Sequence, residues 1–305
     1  MYQIETQPVA QYHVLLKGLV SRGGPVPEEY DELDQAVDSL HDAFSKGLIS
    51  QSEIAELRSA MGAALSPSTL QGFAYSKPYG YSGDFEVIDR IYTMRITDEP
   101  NLIAWDRFLQ DHSAPKAVRN RKSYFHEVLN RHASRVESLR VLNVASGPGR
   151  CMYEWLAANT DKDVSFHCVD IDANAIKYAS KLNERFSDRI TFTHKNALRF
   201  KSEEKYDVIW AAGICDYFND ETFRVFLHRL MGMLAPGGEL VLGNFSKKNA
   251  SRAYMELISD WWLQHRTPQD LTALATSCGV SPDSVFVGSE PEGVNLFLHV
   301  KKETV

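Results

Sequence analysis

The chain has 305 residues, 44% of them hydrophobic and 24% charged, with a formal net charge of −7. That length holds one large domain or two, with ample material for a packed core. The acid excess removes any general attraction to nucleic acid or anionic membranes, yet it falls short of what keeps a chain disordered.

Cys151, Cys168, Cys215 and Cys278 lie far apart without paired spacing, which argues against a disulfide framework and against metal knuckles, and no metal site is expected. Residues 1–7 lack the basic region and apolar core of a secretory leader, and no apolar run is long enough to span a bilayer. A cytoplasmic protein with buried, reduced thiols is the expectation.

Residues 1 to about 115 read as a mainly helical domain. Tyr30, Leu33, Ala36, Val37, Leu40, Ala43 and Phe44 recur at helical spacing between Glu28 and Lys46, and Gly47 is the stop. Ser50-Gln51-Ser52-Glu53 is a capping-box pattern opening a second helix through about Leu65. The apolar stripes of such a hairpin pack internally or against a second copy, so a homodimer stays open.

Lys77-Pro78-Tyr79-Gly80-Tyr81-Ser82-Gly83-Asp84-Phe85 interleaves glycines and rings ahead of an apolar helix, 85–94, for which Asp84 is a natural N-cap. Two readings stand: a lid carrying Tyr81 over a small-molecule site, or a tight, aromatic-packed turn. A further helix runs from Ala114 to about Ala133. Its cations Lys116, Arg119, Arg121 and Lys122 form either a solvated face or an anion clamp suited to a carboxylate.

From Leu139 onward strands and helices alternate, which predicts a mostly parallel sheet and a second domain over 116–305. The first strand breaks at Ala145-Ser146-Gly147-Pro148-Gly149 and a helix follows from Cys151 to Ala158. Its free N–H groups point at the turn, the anatomy of a nucleotide-type site. Met152 spoils a dinucleotide fingerprint, and the absence of a Lys-Ser/Thr pair disfavours a phosphate loop. Asp170 closes the second strand twenty-three residues after Gly147, where a carboxylate can accept from both hydroxyls of a ribose; Asp172 caps the next helix. Asn196-Ala197 follows the third strand. Ala212-Gly213 ends the fourth, with Asp216 and Tyr217 either lining an acceptor pocket or opening a helix. Tyr254, Trp261 and Trp262 either roof an apolar site or fill a helix interior. Two closing strands flank Glu290-Pro291-Glu292-Gly293 as an antiparallel hairpin.

Four of these stretches resemble class I S-adenosylmethionine-dependent methyltransferases: Asn143 to Gly149, with Asn and Ala where the motif has an acid and its first glycine; Asp170; Tyr206-Asp207-Val208-Ile209; and Leu234-Ala235-Pro236-Gly237-Gly238. The segments 77–92 and 117–121 are similar to blocks in bacterial proteins related to the enzyme that makes 3-hydroxy fatty acid methyl ester signals. The resemblance implies an α/β, Rossmann-like seven-stranded sheet behind a helical domain, with S-adenosyl-L-methionine as cofactor. It implies cofactor contacts from Arg119, Asn143, Ala145, Ser146, Gly147, Pro148, Asp170, Ile171, Asn196, Ala197, Ala212 and Gly213, and acceptor contacts from Tyr81, Asp216 and Tyr217. The acceptor it implies is a small, fatty-acid-like carboxylate used in cell-to-cell signalling. Rival readings are methylation of another metabolite's amine or hydroxyl, a nucleic-acid methyltransferase, which the acidic chain disfavours, and a non-catalytic cofactor-binding protein.

Overall fold

The computed structural model of the protein describes residues 7–304. The leaderless reading of the N-terminus falls mostly outside the described residues. The helices are α1 (Gln7–Ser21), α2 (Tyr30–Ser45), α3 (Gln51–Ala60), α4 (Leu70–Ser76), α5 (Phe85–Tyr92), α6 (Ile103–Asp111), α7 (Ser113–Ala133), α8 (Arg150–Ala158), α9 (Ala173–Leu182), α10 (Asp220–Met231), α11 (Arg252–Leu257) and α12 (Pro268–Ser277). The strands are β1 (Ser138–Val144), β2 (Asp163–Asp170), β3 (Ile190–His194), β4 (Tyr206–Ala211), β5 (Leu234–Phe245), β6 (Val285–Ser289) and β7 (Asn295–Lys301). They form two compact units. The described residues up to Lys116 join Ala250–Trp262 in the first, and Ala117–Asn249 joins Leu263–Val305 in the second.

Local chemistry explains the helical unit. Leu33, Val37, Leu40 and Ala43 make the buried stripe of α2, and Gly47 beyond its end adopts a left-handed φ of 71°. Ser50 and Glu53 cap α3 reciprocally, the Glu53 carboxylate accepting from the Ser50 N–H at 2.8 Å. That helix stops short of the expected Leu65: Gly62 turns left-handed at 51°, and residues 62–65 tighten into a 3-10 turn.

The excursion Ala250–Trp262, contiguous in sequence with the sheet strands, belongs to the helical unit. Buried Arg58 donates to the carbonyls of Leu257 at 2.6 Å and Glu256 at 3.1 Å, satisfying orphan groups at the end of α11. Lys77 pairs with Asp260 at 2.5 Å, and the Ser82 hydroxyl donates to the Asp260 carbonyl at 3.1 Å. Tyr254 is buried and donates to Gln71. The same contacts fix the 77–85 stretch as a packed turn. Tyr79 lies against Phe85 with ring centroids 4.6 Å apart, and Asp84 caps α5 by accepting from Glu86 and Val87, each at 2.9 Å. Tyr81 is half-buried within this turn.

The second unit is a seven-stranded sheet in the order β3-β2-β1-β4-β5-β7-β6, parallel except for β7, which runs antiparallel to both neighbours. This is the Rossmann-like architecture expected, hairpin included. One face buries Phe125, Trp155, Trp210 and Phe297; the other buries Phe223, Phe226, Leu230 and Leu271. With both faces covered, the strands read as nearly continuous apolar runs.

An acid breaks that rule. Glu239 in β5 is 2% exposed, and it accepts from Arg131 and His132 at 2.6 Å and from His299 at 2.9 Å. Burial alone would raise its pKa, but the His132, His299 and Arg131 contacts outweigh burial and hold it far below the ordinary carboxylate range. A carboxylate depressed in the folded state stabilises the fold above its unfolded pKa of about 4.3, and that stability fades as pH falls below this value. Glu239→Gln is therefore expected to lower stability by about 3 kcal/mol at neutral pH. Denaturant titrations should show the gap between wild type and variant closing below about pH 4.

Candidate functional site

The carboxyl ends of the parallel strands bring the sequence-predicted residues to one edge of the second unit. After β1 the backbone alternates: Ala145, Gly147 and Gly149 all take left-handed φ, at 52°, 55° and 68°. At Ala145 the methyl group makes that conformation cost about 1 kcal/mol, the penalty for carrying alanine where the motif has glycine. The Ala145 N–H, bonded to the Val169 carbonyl at 2.8 Å, holds it there. Gly149 has no room for a side chain, because a Cβ would lie 3.0 Å from Asn183 Nδ2. At Gly147 a Cβ would meet nothing within 4 Å, so the main chain there faces open space.

Asp170 ties the edge together. One carboxylate oxygen accepts from the Gly147 N–H at 2.9 Å, and the other from the Asp172 N–H at 3.0 Å. Burial raises its pKa against the pull of these amides. Each oxygen keeps acceptor capacity for a further partner. Lys195 donates from its backbone to the Asp170 carbonyl at 2.8 Å, which draws the end of β3 alongside. Next to the acid, Ile171 is 61% exposed, a large aliphatic surface beside a polar anchor. Asp172 caps α9 through the Asn174 N–H at 2.8 Å, as its position predicts.

The remaining residues divide. Asn143 is buried at the end of β1, and its Nδ2 has no hydrogen-bond partner among the described residues. Ser146 and Pro148 are buried in the turn. Asn196 Oδ1 already accepts from the Leu198 N–H at 2.8 Å, leaving it one lone pair, and Ala197 packs into the core. At the end of β4, Ala212 is buried and Gly213 exposed. Arg121 reaches this point: buried, it donates to the Ala212 carbonyl at 2.6 Å, and a Cβ on Gly213 would lie 3.6 Å from its Nη1. Arg119 sits two residues away on α7 and so on another side of the helix, so the two cations do not form one clamp.

Asp216 lies in the short turn that follows β4. It is 3% exposed, and its Oδ1 accepts from the Phe245 N–H at 2.6 Å, which ties the turn after β4 to the end of β5. Burial pushes its pKa up to about 6, against the Phe245 amide, Arg121 and Arg266. A carboxylate so placed helps to position the turn. Tyr217, the next residue, is 44% exposed.

Sequence reasoning missed Arg266. Its buried guanidinium donates to the Cys215 carbonyl at 3.1 Å, to Asn244 Oδ1 and the Phe218 carbonyl at 2.6 Å each, and pairs with Asp220 at 3.0 Å. It thereby sets the whole 215–220 turn. A lone arginine ahead of a helix cap carries no signal of this.

Residues 141–238 match the family described as Methyltransferase domain. A highly reducing polyketide synthase, ACRTS2 of Alternaria alternata, is 26% identical over 133 residues, covering 40% of this chain and 5% of the synthase. The chain thus spans about 5% of the length of that relative. A Bordetella parapertussis structure described as a possible exported protein superposes with a TM-score of 0.67 at 17% identity, covering 99% of this chain and 98% of its own. Magnesium protoporphyrin IX methyltransferase from Synechocystis PCC 6803, solved with bound S-adenosylhomocysteine, gives a TM-score of 0.52 at 14% identity over 77% of this chain and 100% of its own. At these identities the likeness is one of fold. Strand order and glycine turn are in keeping with the match of residues 141–238 to a methyltransferase domain. Among the described residues no helix is long and apolar enough to cross a membrane.

Asp170→Ala is expected to weaken S-adenosylmethionine binding at least about tenfold, the loss of one or more charge-assisted hydrogen bonds. Calorimetric titration reads this, and an unchanged affinity would remove Asp170 from the site.

Proposed function

We propose that the protein transfers a methyl group from S-adenosylmethionine to an oxygen of a small carboxylic acid, with a 3-hydroxy fatty acid as the leading acceptor. The observation that carries the cofactor half is the open backbone at Gly147 beside the doubly anchored Asp170. Asp170 would hold the ribose hydroxyls, Ile171, Asn196 and Ala197 the adenine, and the 143–148 turn with Ala212 and Gly213 the methionine portion. The orphaned Asn143 amide supports this fit, since a bound polar group would complete it. When bound, S-adenosylmethionine supplies an electrophilic methyl group on a sulfonium.

A carboxylate acceptor is ionised near neutral pH and needs no general base. The protein's part is then alignment and exclusion of water. Two features support this over amine methylation. Asp216, the first acid after β4, accepts from a backbone amide, and buried Arg121 places a permanent cation at the same strand end. The sequence blocks at 77–92 and 117–121 favour the fatty-acid class and, with it, a role in signal synthesis. Arg119 is retained as a contact to the cofactor or acceptor carboxylate, and Tyr81 and Tyr217 as acceptor contacts. The four free cysteines fit a reducing, cytoplasmic setting.

Incubating the protein with S-adenosylmethionine and a panel of 3-hydroxy fatty acids should yield methyl esters by mass spectrometry. Products only from amines or phenols would favour the alternative acceptor classes, and cofactor binding without any product would favour a binding protein. Tyr81→Ala is expected to lower turnover on the order of tenfold while leaving cofactor affinity unchanged. Equal losses in steady-state rate and calorimetric affinity would reduce Tyr81 to a packing role.

A further inference from the structure

The second unit carries a basic cavity that the methyltransferase site does not use. It measures about 500 Å3, opens widely to solvent, and is lined by Lys201, by Arg224, Val225, His228 and Arg229 on α10, and by Ser277 and Cys278 at the end of α12. No carboxylate lines it. Elsewhere cations of this acidic chain pair with acids, as Lys122 does with Glu154, Arg131 with Glu239 and Lys247 with Asp270. Among the described residues none of the four basic groups around the cavity makes such a pair. Arg224 donates only to the neutral Ser277 hydroxyl at 3.0 Å, and the buried Arg229 Nε has no partner. Three permanent cations and an imidazole gathered around one concavity repel one another until an anion enters.

Topology sets this cavity apart from the candidate methyltransferase site. Helix α10 starts after the turn at the carboxyl end of β4 and runs back along the sheet to deliver the chain to the start of β5. Its second half, with Arg224 to Arg229, therefore lies toward the edge where the strands begin. Lys201 precedes β4, and Cys278 precedes β6, at that same edge. The glycine turn, Asp170 and Gly213 sit at the opposite edge.

We propose that this cavity binds a small phosphorylated molecule bearing at least two negative charges, as a site separate from that of the methyl donor. Guanidinium groups present forks matched to phosphate oxygens, and cations spread along one helix and a facing loop suit an extended polyanion better than a single carboxylate. The Ser277 hydroxyl adds a neutral donor. Cys278 serves as a built-in reporter: it is half-buried, whereas Cys151, Cys168 and Cys215 are buried.

Pyrophosphate is the probe. Titrated calorimetrically into the full chain at moderate salt, it should bind saturably, and the Arg224→Gln/Arg229→Gln double variant should weaken binding at least about tenfold with S-adenosylmethionine affinity unchanged. In wild type, pyrophosphate should also slow alkylation of Cys278 severalfold, a readout that survives even if the double variant fails to fold. Absence of saturable pyrophosphate binding, binding undiminished in a folded double variant, or an alkylation rate indifferent to pyrophosphate would overturn the proposal. Because S-adenosylmethionine is titrated into the same preparations, failure here is distinct from failure of the methyltransferase reading.

Discussion

The Asp170 carboxylate, bonded at once to the Gly147 and Asp172 amides, is the constraint on which the candidate site depends. It locks two strand ends, β1 and β2, into one relative position and keeps the strained Ala145-to-Gly149 backbone in its left-handed alternation. A neutral residue would satisfy one amide well and the other poorly, because only a carboxylate offers two equivalent acceptor oxygens. The same atom pair therefore builds the turn and remains available at its mouth.

A second, independent brace shapes the other side of the edge. Arg266 gathers the carbonyls of Cys215 and Phe218 together with Asn244 and Asp220, while Asp216 grips the Phe245 amide. Between them they turn the chain after β4 so that Gly213 and Tyr217 stay exposed while Cys215 and Asp216 are buried. Buried charges of opposite sign are tolerated because each is hydrogen-bonded to several groups. Arg121 adds a third charge at this end, held by the Ala212 carbonyl.

The helical unit follows the same logic at its own joints. Arg58 satisfies the closing carbonyls of α11, Lys77 pairs with Asp260, and Asp84 caps α5, so the aromatic 77–85 stretch is anchored at its start, middle and end.

Much of this was legible in the sequence because it rests on local rules. The glycine turn, the acid closing β2, the Ser50–Glu53 box, the Asp84 and Asp172 caps and the final hairpin each depend on residues within a few positions of one another. The mostly parallel sheet followed from the regular alternation of strand and helix. What only the tertiary structure decided involves partners far apart in the chain. Arg121 reaches the end of β4, a contact that turns on which helix face meets the sheet. Asp216 is drawn inward by an amide 29 residues away. Residues 250–262 join the helical unit through Arg58, Gln71 and Lys77, and Glu239 collects cations from α7 and β7. Sequence pattern reports periodicity and short spacing, and it carries no record of which distant charge will be the one to satisfy a buried group.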